Sequence, residues 1–375
     1  MRNLILFILC IVTMFAYIHA DEPVVFVSAF KSGDEGAIHA YRFDSKNGQL
    51  KPLHRTTDIE SPFFLAISPD GRFLYAIDAE QFGGDENEFV ASYAVQGRDG
   101  TLRRLNRQSA RGTASCYLDV DATGRTVVVA NYATGNVAAL PVQDDGSLGQ
   151  VSSFVQHSGS SVDPKRQTGP YAHSIVVSPD NRFALAADLG VDKVLTYRLN
   201  AATAELTPNQ PQPFAALPPG SGPRHLIFHP NGRSVYVINE LKNTVTLFDY
   251  ESDTATLTQQ QETSTLPKDF SGTSHTADLK ITPNGKFLYG TNRGHDSIAI
   301  FRIADDGRLN SVSIERSLGK GPQNLLITPD GRWLLCANMP GNNVAVFAID
   351  AETGSLTATA DPVSVPMPSC IRWLK

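Results

Sequence analysis

The sequence is short of cysteine. Its 375 residues hold four, Cys10, Cys116, Cys336 and Cys370, widely separated and with no C-x-x-C pair. Cys10 lies inside the N-terminal apolar run, and the odd three that follow make no disulfide framework. They read as small buried hydrophobes. H-E-x-x-H is missing as well, so no zinc site is suggested, and without a G-x-S-x-G elbow a covalent serine route is not indicated. No cofactor is implied. Basic runs are absent and the formal net charge is −6, which argues against nucleic acid or an anionic membrane as partner. After residue 20 no segment is long and apolar enough to span a bilayer, and no amphipathic helical stretch of useful length interrupts the chain. What remains, 41% hydrophobic and 19% charged residues, suits a globular protein with a substantial core.

The opening twenty residues, MRNLILFILCIVTMFAYIHA, place one Arg before an apolar run that ends I-H-A and meets Asp21-Glu22-Pro23. This is the shape of a cleavable secretory signal over 1–20. An uncleaved anchor helix is the rival, since the run approaches bilayer-spanning length. Cleavage after Ala20 would leave one domain, 21–375, secreted or periplasmic, with no stable membrane insertion.

Within that domain one pattern recurs. FFLAISPDGRFLYAID (63–78), YLDVDATGRTVVVAN (117–131), HSIVVSPDNRFALAAD (173–188), GPRHLIFHPNGRSVYVINEL (222–241), ADLKITPNGKFLYGTN (277–292) and NLLITPDGRWLLCAN (324–338) are six copies of a strand–turn–strand unit. A third alternating segment such as NTVTLFDY or NNVAVFAI follows each, then a turn such as D-D-G-R-L and a fourth segment. Four short antiparallel strands per repeat, about every 50 residues, are the signature of a propeller blade. The N-terminal PVVFVSAF lacks a first strand, and the C-terminal MPSCIRWLK is a first strand without a successor. Together they complete a seventh blade. The expected fold is an all-β, seven-bladed propeller of four-stranded antiparallel blades, closed by the C-terminal strand pairing with the N-terminal blade.

Such a fold separates two faces. The P-D-G-R turns lie on one, while the start of each first strand and the loop after each second strand lie on the other, around the channel mouth. The polar residues of interest fall on the second face: Tyr171 to Ser174, Arg224, His225, Asn239 and Glu240, Ser274 and His275, Asn292 to His295, and Gln323, Asn324 and Asn338. Arg224 and Glu240 sit at the open end of one hairpin, where they form either a rim ion pair or part of a site. Loops on a rigid scaffold commonly carry function.

The strings PYAHSIVVSPD, GPRHLIFHPNGRSVYVINEL, TNRGHDSIAIF and GPQNLLITPDGRWLLCAN resemble the seven-bladed propeller lactonases, a family that includes propeller-type 6-phosphogluconolactonases and fungal carboxymuconate cyclases. The resemblance implies catalytic groups at His173, Arg224, Glu240 and Arg293. It also carries departures: Tyr117 stands where members often have His, and Gln323 where an Arg is common. Fewer cations around the channel would suit a less anionic ligand than a phosphorylated lactone.

The chemistry of lactone opening asks for a base for water, donors for the oxyanion and an acid for the leaving alkoxide. Glu240 or His173 would serve as base, and Arg224 and Arg293 would hold an anionic small-molecule lactone. His225, His275, Asn292, Asn239 and Tyr171 are the candidate substrate contacts. Each group also has a plain structural reading, from hairpin ion pair to loop brace. Hydrolase, muconate-type cycloisomerase, calcium-dependent lactonase and non-catalytic binding propeller all stay open, because fold alone does not fix function.

Overall fold

In the computed structural model, which describes residues 22–374, seven antiparallel sheets form a ring. The candidate signal segment and its cleavage point lie outside the described residues. Among the described residues no helix is long and apolar enough to cross a membrane.

Blade 2 is built from Leu65–Ile67, Phe73–Asp78, Phe89–Gln96 and Thr101–Ser109, and blades 3 to 7 repeat the same inner-to-outer order. Second strands such as Thr126–Asn131, Phe183–Asp188 and Ser234–Asn239 are buried at every position. Each is packed on both faces by neighbouring blades. That is why TVVVAN and SVYVIN read as near-continuous apolar runs rather than alternating ones. Inner strands differ: Ala172–Val177, Pro223–Phe228 and Pro322–Ile327 are buried over their first four residues and half-exposed at the last two, where they line the channel.

The tight turns between inner and second strands need a left-handed residue, supplied by Gly71, Gly232 or Gly331 and, in blade 4, by Asn181 at φ 61°. Asn tolerates that region better than other side chains. In blades 4 and 7 the outer strand is broken in two: Glu205–Pro208 and Phe214–Ala216 both pair with Lys193–Asn200, and Leu356–Ala358 and Val363–Ser364 with Asn343–Ile349. The breaks fall at Q-P-Q-P and D-P, because proline cannot donate to a ladder.

Neighbouring blades are also tied by polar contacts. The hydroxyls of Tyr236 and Tyr289 reach across to donate to the turn carbonyls of Gly307 and Gly354, at 2.6 and 2.8 Å. Closure is as expected. Pro368–Leu374 pairs with Val24–Ala29, from Val24 opposite Leu374 to Ala29 opposite Pro368, as the innermost strand of blade 1. Ser28 and Ser369 add a hydroxyl contact of 2.9 Å across that seam. Cys116, Cys336 and Cys370 are all free and buried, filling core positions as small apolar groups.

One irregularity positions the site. In six blades the pairing of inner and second strands slips near the start of the inner strand. Unpaired residues result: Cys116, His173, Arg224, Ala277 with Asp278, Gln323 and Ser369. A bulge turns its extra residue out of the alternation and re-aims it. Repeated round the ring, the bulges deliver side chains to the same end of the channel.

Candidate active site

Glu240 is the centre of the cluster. It follows the second strand of blade 5, and its backbone N–H donates to the carbonyl of Gly222 at 2.7 Å, which brings it beside the bulged Arg224. Three guanidiniums share its carboxylate. Arg224 Nε donates to Oε2 at 2.9 Å, Arg293 Nη2 lies 2.8 Å from the same oxygen, and Arg166 Nη2 donates to Oε1 at 2.6 Å. The side chains of Arg224 and Glu240 are only 2% and 6% exposed. This pair is no rim salt bridge. Burial by itself would raise the Glu240 pKa, but Arg293 and Arg224, with His173 and Arg166, hold it well below the usual carboxylate range. Burial and the neighbouring Arg293 bring Arg224 down to about 10, so it stays charged at neutral pH.

Arg224 is locked from behind. Its Nη1 donates to the Ala277 carbonyl at 2.5 Å and to His225 Nε2 at 3.1 Å. With Nε2 accepting, the His225 proton sits on Nδ1 and is donated to Asp278 Oδ1 at 2.9 Å. Asp278 also receives Lys280 Nζ, Asn324 Nδ2 and the Leu325 N–H, at 2.7 to 2.9 Å. Burial and the charge of Arg224 push His225 down to about 3, outweighing Asp278. It is therefore a neutral bridge between the buried carboxylate and the guanidinium.

His173, the bulged residue of blade 4, lies next to this unit, its ring 5.4 Å from His225 and edge-on to Tyr132 at 5.2 Å. Its Nδ1 faces Cys116 Sγ at 3.5 Å. Among the described residues no protein group bonds Nε2. Burial, then Arg224 and His225, hold His173 well below 6.5, so the imidazole is neutral.

Arg293 closes the second strand of blade 6 and is fixed by the carbonyls of His275 and Thr276, at 3.3 and 3.1 Å, with Gln323 Oε1 at 3.4 Å from Nη1. His275 thus meets the site through its backbone, while its own Nδ1 is buried and unpaired. The Tyr171 ring stacks on Tyr132 at 4.9 Å, and its hydroxyl meets Thr168 at 3.0 Å. The Tyr117 ring packs on Phe64 and His225, at 4.3 and 5.0 Å. The Tyr132 hydroxyl also meets Arg166 Nη2, at 3.3 Å.

Asn239 and Asn292 lie deeper. Asn239 Nδ2 donates to Thr244 and Thr246, both at 2.9 Å, and Asn292 Nδ2 to the Thr265 carbonyl and Ser297. Asn239 spends both amide hydrogens inside blade 5, while Asn292 in blade 6 also reaches back to Thr265, just past the outer strand of blade 5. Asn131 and Asn338, at the matching second-strand ends, hold their loops in the same way. The repeat of Asn at this place has a structural cause.

Arg166, Tyr132 and Asp278 had no separate signal in the sequence. Arg166 comes from the connection between blades 3 and 4, a loop whose length was the one available cue. Asp278 occupies an inner-strand bulge, which a period-two pattern does not reveal.

Residues 24–373 match the family model described as lactonase, 7-bladed beta-propeller. The chain is 33% identical over 351 residues to a 6-phosphogluconolactonase of Bacillus subtilis, covering 93% of this chain and 97% of that one. It is 31% identical over 304 residues to a 6-phosphogluconolactonase of Formosa agariphila, covering 80% and 85%. Among solved structures, the periplasmic gluconolactonase of Pseudomonas aeruginosa superposes with a TM-score of 0.87 at 34% identity, covering 94% of this chain and 99% of that one. With the ring, its closure and the motif-bearing hairpins in agreement with that match, the chain belongs to the seven-bladed β-propeller lactonase family.

Proposed function

We propose that the protein is a lactone hydrolase, 6-phosphogluconolactonase-like, that opens a sugar-acid lactone to the free acid by water attack at the channel mouth. The observation that carries this reading is a neutral imidazole with an unbonded Nε2 beside a carboxylate that gathers three guanidiniums. His173 takes a proton from water as the water oxygen attacks the lactone carbonyl. Arg224 and Arg293 offer fixed positive charge to the oxyanion. When the intermediate collapses, the ring oxygen leaves with the proton that His173 carried, and the imidazole returns to neutral. Glu240, whose two oxygens are both occupied by arginines, holds those cations together. The same occupation leaves it poorly placed as a calcium ligand.

Substrate binding supplies the missing basicity. Burial lowers His173 most, but a bound anionic group offsets the further depression by Arg224, and likewise the pull of the arginines on Glu240, so both become stronger bases in the complex than in the free protein. Action outside the cytoplasm is part of the proposal, supported by the N-terminal apolar run and by the relative named as periplasmic.

The test is acid release from glucono-δ-lactone and 6-phosphoglucono-δ-lactone by the purified chain, with and without a chelator. Turnover above the spontaneous rate that survives chelation supports the reading. No turnover across phosphorylated and unphosphorylated aldonolactones would favour a binding propeller instead.

A further inference from the structure

The three guanidiniums around Glu240 are not equivalent. Arg224 spends Nε on Glu240 and Nη1 on His225 and the Ala277 carbonyl. Arg293 directs Nε, Nη1 and Nη2 to two carbonyls, Gln323 and Glu240. Arg166 uses Nη2 alone, toward Glu240 and, at 3.3 Å, the Tyr132 hydroxyl. Its Nε–H and both Nη1–H groups meet no protein acceptor among the described residues, and its side chain is 34% exposed. Three of its five N–H bonds are thus left without a protein partner among the described residues.

The charge balance points the same way. Three arginines face one carboxylate, and the two nearest imidazoles, His173 and His225, are both held neutral. Asp278 is balanced by Lys280 at 2.7 Å. About two positive charges are left without a protein partner. Cations held together at that cost await an anion.

Arg166 is also delivered by a built loop. Gln167 Nε2 donates to the Leu189 carbonyl at 2.8 Å, and its Oε1 accepts the Asp163 N–H at 3.1 Å. Ser161 donates to Asp192 at 2.5 Å, and Asp192 also accepts the N–H groups of Gly220 and Gly222, both at 2.7 Å, on the approach to Arg224. The loop carrying Arg166 and the strand carrying Arg224 are therefore fastened to one carboxylate.

We propose that Arg166 is a direct ligand for the anionic group of the substrate, using N–H donors of Nη1 and Nε that the protein leaves free, and so sets the preference for charged over neutral lactones. This rests on the lactone-hydrolase reading of the site and adds a residue to it. An arginine carries five N–H donors fixed in one plane, so it can hold Glu240 through Nη2 and still donate to a carboxylate or phosphate, a division that lysine's single ammonium cannot reproduce.

Steady-state kinetics of Arg166→Gln and Arg166→Lys on the phosphorylated and unphosphorylated lactones decide the matter. The expected result is a rise in KM of roughly 10- to 100-fold for the phosphorylated lactone with Arg166→Gln, the size of one charge-assisted contact, with kcat little changed. For the neutral lactone KM should move less than about threefold, and Arg166→Lys should recover part of the loss. An equal effect on both lactones would mean that Arg166 merely braces the loop, and no effect on either would mean that it faces solvent; both overturn the proposal. Should neither lactone be turned over, calorimetric titration with 6-phosphogluconate and gluconate replaces kinetics. Equal affinity of the parent protein and Arg166→Gln for 6-phosphogluconate then overturns the role of Arg166 independently of catalysis.

Discussion

Glu240 and His173 are the two residues able to accept a proton at the mouth, and their surroundings assign them different work. Glu240 compensates three cations, so Glu240→Gln should do more than remove a base. Leaving a buried Arg224 without its carboxylate costs about 3–5 kcal/mol in comparable buried pairs, and the variant should melt several degrees lower, with added phosphate restoring part of the loss. His173→Gln removes only a neutral, half-bonded imidazole. It should melt near the parent value and lose roughly 100- to 10,000-fold in kcat. The reverse pattern, with Glu240→Gln folding normally but inactive and His173→Gln active, would move the base to Glu240. The pH profile separates states of the same group. A base works deprotonated, so activity falls as pH drops through its pKa. Because the free protein holds His173 well below 6.5, kcat/KM should stay level as pH falls through 6.5. In the complex the bound anion raises that pKa, so the acid limb of kcat should lie at higher pH than that of kcat/KM. An acid limb of kcat/KM at 6.5 would contradict the environment described for His173.

At the scale of the element, the inner-strand bulge and its approach do the aiming. Gly222 precedes Arg224 with φ at 63°, and a Cβ there would come within 2.5 Å of Leu241 Cγ. Its N–H is held by Asp192. Gly222→Ala should cost about 1 kcal/mol or more through the left-handed backbone. A shift of the backbone to relieve that strain would carry Arg224, two residues on, with it. Circular dichroism should show an intact propeller, while kcat/KM drops by more than the small loss of melting temperature would suggest. Unchanged kinetics would show that the approach to the strand tolerates the shift without moving the guanidinium.

Across the whole molecule, closure and electrostatics make separate predictions. Pro368–Leu374 supplies the innermost strand of blade 1, with Cys370 and Ile371 fully buried. It also links to blade 7, where the Ile371 N–H donates to Asn324 at 2.9 Å. Deleting 367–375 would uncover one edge of blade 1 and remove a wall of the channel. The truncated chain should lose cooperative unfolding or melt far lower; an unchanged melting curve would refute strand closure as the lock. Acid should weaken the intact fold in two stages. His173 and His225 have folded pKa values below their unfolded 6.5, so as pH falls through 6.5 the unfolded chain takes up protons first and stability declines. Glu240 and Asp278 have folded values below ordinary carboxylates, so their stabilisation is present above about pH 4.5 and is lost as pH falls further. Differential scanning calorimetry from pH 8 to 3 should show both; a flat melting temperature between pH 7 and 5 would contradict the neutral histidines.

The sequence by itself determined the blade repeat, because period-two strands and Pro–Gly turns are local and each copy repeats the same physics. It also determined the closure, since an orphan first strand at one end and an orphan second strand at the other have one way to pair. The strand pattern put His173, Arg224, Glu240 and Arg293 on the channel face among other polar residues, and the resemblance to the lactonase family singled them out. Only the tertiary structure decided what surrounds them. Arg166 reaches Glu240 from 74 positions away, and Asp278 reaches His225 from the next blade, 53 positions on. No local pattern encodes such contacts. Asn239 and Asn292 drew notice as polar groups near the mouth, yet their amide hydrogens are spent on strands and on the connection between blades 5 and 6, because whether an amide faces the channel or the sheet depends on a pleat and bulge that a string of letters does not show. The protonation of the histidines was decided last, by burial and by charges that share one mouth only after seven sheets have closed into a ring.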